Sequence, residues 1–171
     1  MVKRLILLRH AKSSWDDPTL DDRDRPLNKR GRKSAKAVGA WLRGIGVTPE
    51  LTLCSDAVRA RETLKRLKLG GEVHVRPELY MAGSDTMLEA MQEAEGACVM
   101  MIGHNPGIAD FAQRIVTTPP PHGRFADFPT GAALIVDIPM VDWKAGHFGT
   151  SRVVNFITPR ELIGKDTQNG D

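Results

Sequence analysis

Residues 97–102 read Ala-Cys-Val-Met-Met-Ile, a stretch with no polar side chain on either face. A strand with one wet face alternates apolar and polar residues, so a strand apolar on both faces has to be covered on both. Leu5-Ile6-Leu7-Leu8 repeats the pattern near the start of the chain, and Leu51-Thr52-Leu53-Cys54 comes close to it. Between such runs the apolar spacing changes to that of helices. Val38, Trp41, Leu42 and Ile45 share one face of a helix that Asn28 can cap and that Gly44 and Gly46 end. Further helices are predicted over 57–67, with Val58, Leu64 and Leu67 facing in, over 86–95 and over 107–116. Strands are predicted over 2–8, 51–54, 73–75 and 97–102, with a final pair over 131–138 and 152–157. Strands alternating with helices predict an α/β three-layer sandwich, a mostly parallel central sheet with helices on both faces.

The length of 171 residues suits one domain. Residues 13–28, rich in Asp, Pro and Arg, read as a long loop. Residues 117–130, with Pro119, Pro120, Pro121 and Pro129, read as a surface loop suited to a lid or rim. The tail from Pro159 onward is expected to fray. No apolar stretch approaches the roughly 20 residues that span a bilayer. The apolar start is stopped at once by Arg9 and His10, unlike a signal peptide, so a cytoplasmic protein without a membrane partner is expected. The net charge of +3 is mild, the basic residues are dispersed, and the aromatics are few, which argues against nucleic acid. Cys54 and Cys98 lack C-x-x-C spacing and are expected to be buried thiols. Oligomeric state is not legible.

In sheets of this kind ligands bind beyond the carboxyl ends of the strands. Three apolar runs end in groups able to carry positive charge. The first is followed by Arg9-His10, the second by Ser55-Asp56-Ala57-Val58-Arg59, and the fourth by Gly103-His104. Converging cations make an anion pocket that suits phosphate, and a histidine can itself accept a phosphoryl group. Arg59 and Arg61 lie two positions apart, about 200° around a helix, so only one can face such a pocket.

Taken together, Arg9-His10-Ala11, Ser55-x-x-x-Arg59-Ala60-x-x-Thr63 and Gly103-His104 resemble the histidine phosphatase superfamily, the phosphoglycerate mutase-like proteins. Leu7-Leu8-Arg9-His10-Ala11-Lys12-Ser13-Ser14-Trp15 and Asp24-Arg25-Pro26-Leu27-Asn28-x-Arg30-Gly31 resemble its small SixA-like branch. The resemblance runs from residue 3 to about residue 138. Ala11 departs from the glycine of the superfamily motif, as is common in that branch. The resemblance implies a phosphoglycerate mutase-like fold and a phosphatase without cofactor or metal. His10 would attack phosphorus and become phosphohistidine, while Arg9, Arg59 and His104 would hold the phosphate oxygens. It selects Arg59 over Arg61. His104 would be protonated beside a bound dianion, and His10 neutral on its attacking nitrogen. Larger relatives carry an acid for the leaving alcohol, for which Glu78 is the candidate. The SixA-like branch implies phosphohistidine in proteins as substrate, with a small phosphate ester as the alternative. Lys12, Arg23 and Arg25 are expected to line the entrance.

Other chemistries fit less well. A cysteine phosphatase needs five residues between thiolate and arginine, whereas four separate Cys54 from Arg59 and six separate it from Arg61. A metal hydrolase built from His10, His104, Asp16 and Asp17 lacks any H-x-x-x-H or H-E-x-x-H spacing. A mutase would need insertions to enclose a small diacid. A module that binds phosphoprotein without turnover stays open, with His10 speaking against it.

Overall fold

The computed structural model describes residues 1–164. The chain runs β1 (Lys3–Arg9), α1 (Lys29–Gly44), β2 (Leu51–Ser55), α2 (Val58–Leu67), β3 (Glu72–Arg76), α3 (Ser84–Gln92), β4 (Cys98–Gly103), α4 (Gly107–Ile115), β5 (Ala133–Ile138), β6 (Arg152–Ile157) and α5 (Pro159–Ile163). One six-stranded sheet has the order β3-β2-β4-β1-β5-β6. The first four positions pair in parallel, and β5 and β6 close the far side antiparallel. The apolar runs thus became the central strands β1, β2 and β4, and the 131–138 and 152–157 strands pair as predicted.

Strand periodicity divides the core in two. Leu5 and Leu7 of β1 face one way with Val99, Met101 and Leu134, against Met87 and Met91 of α3 and Ile108, Phe111 and Ile115 of α4. Ile6 and Leu8 face the other way with Met100, Ile102 and Ile135, against Val38 and Leu42 of α1 and Ala60 and Leu67 of α2. This is the α/β three-layer sandwich. On α2 the fully buried face carries Arg59, Ala60, Thr63 and Leu67, while Val58 and Leu64 are only half-buried and Arg61 is exposed. The helix turns an arginine inward, which burial alone does not favour.

Two loops differ from expectation. Segment 117–130 is no free lid: Phe125 and Phe128 are buried in the core between α4 and β6, and they fix the segment as a wall. The start of the expected frayed tail is helical. α5 is closed by a capping box in which Thr158 and Glu161 satisfy each other's backbone donors, and Leu162 packs against the α1–α2 core. Residues 165–171 of that tail lie outside the described residues. Among the described residues no helix is long and apolar enough to cross a membrane.

Loop 13–28 is tied to the start of α1. Asn28 Oδ1 caps α1 through the N–H of Gly31 at 2.8 Å. Gly31 is needed there because a Cβ would lie 2.1 Å from the carbonyl oxygen of Lys12. That close approach fixes the chain just after His10 against the start of α1.

Candidate active site

The register brings the three strand ends level. Arg9 pairs with Gly103 across β1 and β4, and Cys54 with Ile102 across β2 and β4. His10, Ser55 and His104 therefore leave neighbouring parallel strands at the same edge. The His10 N–H donates to the Gly103 carbonyl at 3.2 Å, and the Ala11 N–H donates to Thr63 Oγ1 at 3.0 Å. Thr63 Oγ1 in turn donates to the Arg59 carbonyl at 2.7 Å, so α2 is locked to the turn after β1.

His10 is 6% exposed, and its Nδ1 lies 2.7 Å from the Ala11 carbonyl. A carbonyl only accepts, so Nδ1 carries the hydrogen and Nε2 keeps its lone pair. Arg59 Nε points at that Nε2 from 3.4 Å. Burial pushes the His10 imidazole down to about 3, with His104, Arg59 and Arg9 adding repulsion, so the ring is neutral at neutral pH. This is the tautomer a nucleophile requires.

Arg59 is 2% exposed and joins the site together. Its Nη2 lies 3.5 Å from His104 Nδ1. Its outer side meets Asp22, through Nη1 to the backbone carbonyl at 2.6 Å and Nη2 to Oδ2 at 2.9 Å. Arg9 donates from Nη1 to the Phe128 carbonyl at 3.1 Å, so the wall of segment 117–130 orients it. Its Nε is buried and without a protein partner. Burial lowers the Arg9 guanidinium somewhat, yet it remains a cation.

The His104 ring stands 5.1 Å from that of His10, tilted by 52°. Its Nε2 is 2.7 Å from Ser55 Oγ, and the edge of Tyr80 packs at 5.4 Å. Burial and then Arg59 push His104 down to about 4. Burial, aided by the neighbouring guanidiniums, thus keeps it neutral, and a dianion beside it acts in the opposite direction. Cys54 is buried, and its thiol is pushed up to about 12 by that burial, which disqualifies it as a thiolate nucleophile.

The four core residues predicted from the sequence, Arg9, His10, Arg59 and His104, come together as one cluster at the strand ends. The secondary ones do not all follow. Glu78 is exposed and pairs with Arg76, which also holds Glu93 at 2.8 Å. Its carboxyl is lowered by its own backbone N–H and then by Arg76, the wrong direction for an acid. Arg25 is not an entrance cation. It is 7% exposed, donates to Ser13 Oγ at 2.7 Å and to the Ser14 carbonyl at 3.2 Å, and lies 3.5 Å under the Trp15 ring. Arg23 does stand at the rim, over Tyr80 at 4.2 Å and 3.3 Å from Asp56. Lys12 is half-buried, with its carbonyl accepting from Asn28. Among the described residues no group of His, Cys, Asp and Glu is arranged to hold a metal ion.

Two residues at the site escaped sequence reasoning. Asp22 accepts from Arg59, Arg25 and the Tyr80 hydroxyl, and its carboxyl is drawn down to about 2, first by Tyr80 and then by Arg59. Nothing in the loop's composition marks Asp22 among its neighbouring aspartates. Tyr80 could have been suspected only from being the chain's single tyrosine beside Glu78.

Comparison with known proteins agrees with this geometry. The model of the histidine phosphatase superfamily (branch 1) matches residues 5–81. An uncharacterized chloroplastic protein of Arabidopsis thaliana is 38% identical over 128 residues, 66% of this chain and 59% of that protein, so the chain spans under two thirds of that relative. The phosphohistidine phosphatase SixA of Escherichia coli is 32% identical over 111 residues, 60% of this chain and 68% of that protein. A solved SixA-type structure from Nakamurella multipartitia superposes with a TM-score of 0.81 at 26% identity, covering 93% of this chain and 97% of that one. The chain belongs to the histidine phosphatase superfamily (branch 1) and has the fold and the side chains of a histidine-nucleophile phosphatase.

Proposed function

We propose that this protein removes phosphate from phosphohistidine in proteins through a phosphorylated His10. The observation that carries the reading is the Nδ1–H of His10 on the Ala11 carbonyl, which leaves Nε2 as a lone pair among Arg9, Arg59 and His104. That lone pair attacks phosphorus as the bond to the leaving group breaks. The two guanidiniums neutralise the equatorial oxygens, where positioning and electrostatics do most of the work. His104, raised by the incoming dianion, donates to an oxygen. Water then cleaves the phosphorus–nitrogen bond on His10 and releases phosphate.

The state of the carboxylates supports a nitrogen leaving group. The Glu78 carboxyl is lowered by its own backbone N–H and then by Arg76, and Asp22 is drawn down to about 2 by Tyr80 and then Arg59. Neither is suited to protonate a departing alkoxide at neutral pH. A protonated imidazole leaves as neutral imidazole without that help. Similarity to SixA of Escherichia coli supports the same choice. Both cysteines are free thiols, in keeping with action in the cytoplasm.

The test is phosphate release from a chemically histidine-phosphorylated protein and from p-nitrophenyl phosphate, each against His10→Ala. Faster release from phosphohistidine, lost in the variant, is the expected result. Release from the aryl ester alone would mean a small-molecule phosphomonoesterase. Phosphate binding without release from either would mean a docking module.

A further inference from the structure

The mouth of this phosphate pocket holds an anion. Asp22 reaches it from loop 13–28, with its backbone carbonyl and its carboxylate both on Arg59. Arg25 binds Oδ1 at 3.1 Å, and the Tyr80 hydroxyl donates to Oδ2. The charged and titratable groups around it are Arg59 from α2, Arg25 from its own loop, Arg23 beside it over Tyr80 and paired with Asp56, Tyr80 from the turn before α3, and, through Arg59, His10 and His104 at the ends of β1 and β4. Despite three partners, 47% of the Asp22 side chain stays exposed. Arg25 meets Oδ1 through both Nε and Nη2, and Arg59 and Tyr80 share Oδ2, so a substrate N–H would have to share one of these oxygens on its exposed side.

A carboxylate at this place weakens the hold on every phosphate dianion. A substrate recovers that loss only by bringing a positive charge of its own. Phosphohistidine protonated on its free ring nitrogen does so, whereas a phosphate ester of a neutral alcohol does not. We propose that Asp22 is the specificity-determining residue of the site, accepting the N–H of a cationic nitrogen leaving group and so selecting phosphorus–nitrogen over phosphorus–oxygen substrates.

The inference rests on the phosphohistidine reading and assigns it a residue. In the step itself, the His10 Nε2 lone pair forms the new nitrogen–phosphorus bond. The old bond's electron pair returns to the leaving nitrogen, and the proton on the far ring nitrogen stays there. The ring arrives as imidazolium and departs as neutral imidazole. Asp22 neither gains nor loses a proton; it keeps the substrate ring in its reactive, protonated form.

The experiment compares wild type with Asp22→Asn on a histidine-phosphorylated protein and on p-nitrophenyl phosphate. The ratio of the two kcat/KM values is expected to fall about tenfold or more in the variant, the loss of a charge–charge contact. The alkaline limb of kcat on phosphohistidine should move to lower pH by roughly one unit, because kcat reports groups in the complex. Inorganic phosphate, which brings no cation, should inhibit the variant several-fold more tightly, a result that also requires a folded pocket. An unchanged ratio with an unmoved limb would overturn the assignment, and so would weaker phosphate inhibition, which would reduce Asp22 to a prop for Arg59. Wild type inactive on phosphohistidine would instead sink the underlying reading, so the two failures are told apart.

Discussion

Ser55 Oγ lies 2.7 Å from Nε2 of His104, joining the end of β2 to the turn that follows β4. With Nδ1 of the same ring accepting from Arg59, Nε2 is the protonated nitrogen, and the hydroxyl oxygen receives it. Ser55 is fully buried and His104 nearly so, so no water readily takes the place of this bond. Ser55→Ala should therefore cost about 1–3 kcal/mol in urea unfolding, the penalty of an orphaned buried donor. The freed ring can also turn, so kcat should fall by more than KM rises.

Arg59 should be the least replaceable cation. Arg59→Ala is expected to lower kcat/KM by roughly 10²–10³, the usual loss for a donor aimed at transition-state charge. Arg59→Lys should recover little of it. A lysine offers a point charge, whereas Nε and Nη2 here reach His10 and His104 at 3.4 and 3.5 Å on separate arms of one rigid fork. Steady-state kinetics of the two variants checks this.

Acid should destabilise the protein through its site. His10 and His104 are held at about 3 and about 4, both below the ordinary histidine value of 6.5. The unfolded chain thus binds protons first, and the stability these rings contribute is present in full above pH about 6.5 and is lost as pH falls through their folded values. Urea midpoints should drop between pH 6.5 and 4. The drop should be shallower in His104→Asn, which removes one of the two titrating groups.

The two rim arginines should separate by phenotype. Arg25→Ala unties Ser13, Ser14, Asp22 and the stack on Trp15, so it should loosen the loop, alter Trp15 fluorescence and raise KM. Arg23→Glu reverses an accessible charge over Tyr80, so it should lower kcat/KM for anionic substrates several-fold with stability changed by only about 0.5 kcal/mol.

A chelator should leave turnover unchanged. Charge neutralisation is assigned to Arg9 and Arg59, and the pocket histidines are engaged with Ala11, Ser55 and Arg59. Activity measured with and without EDTA decides the point.

The central strands were legible because runs such as Leu5–Leu8 leave a chain no other solution than burial on two faces. Arg9, His10 and His104 were legible because each lies within two residues of the end of such a run, and Arg59 because the Ser55-x-x-x-Arg59-Ala60-x-x-Thr63 resemblance selected it over Arg61; the register then brings the strand ends level. Legibility ended where partners are distant and local pattern is weak. Asp22 meets Arg59 and Tyr80 across 37 and 58 residues. Glu78 reads as a pocket acid by position, but Arg76, two residues before it, takes it first. Arg25 reads as a surface cation, since no spacing rule announces that a guanidinium will be roofed by an exposed tryptophan. Pro-rich 117–130 reads as loose until Phe125 and Phe128 are seen in the core.

Thr63 lends one hydroxyl to two tasks, taking the Ala11 N–H and giving to the Arg59 carbonyl. The nucleophile's turn and the arginine's helix are hinged on that single oxygen, while Phe128 and Asp22 tether the pocket to segments far along the chain. No fragment shorter than nearly the whole sheet contains all these attachments. Turnover is therefore a gauge of cooperative folding in this protein: catalysis and tertiary structure should melt together, with no partly unfolded species left active.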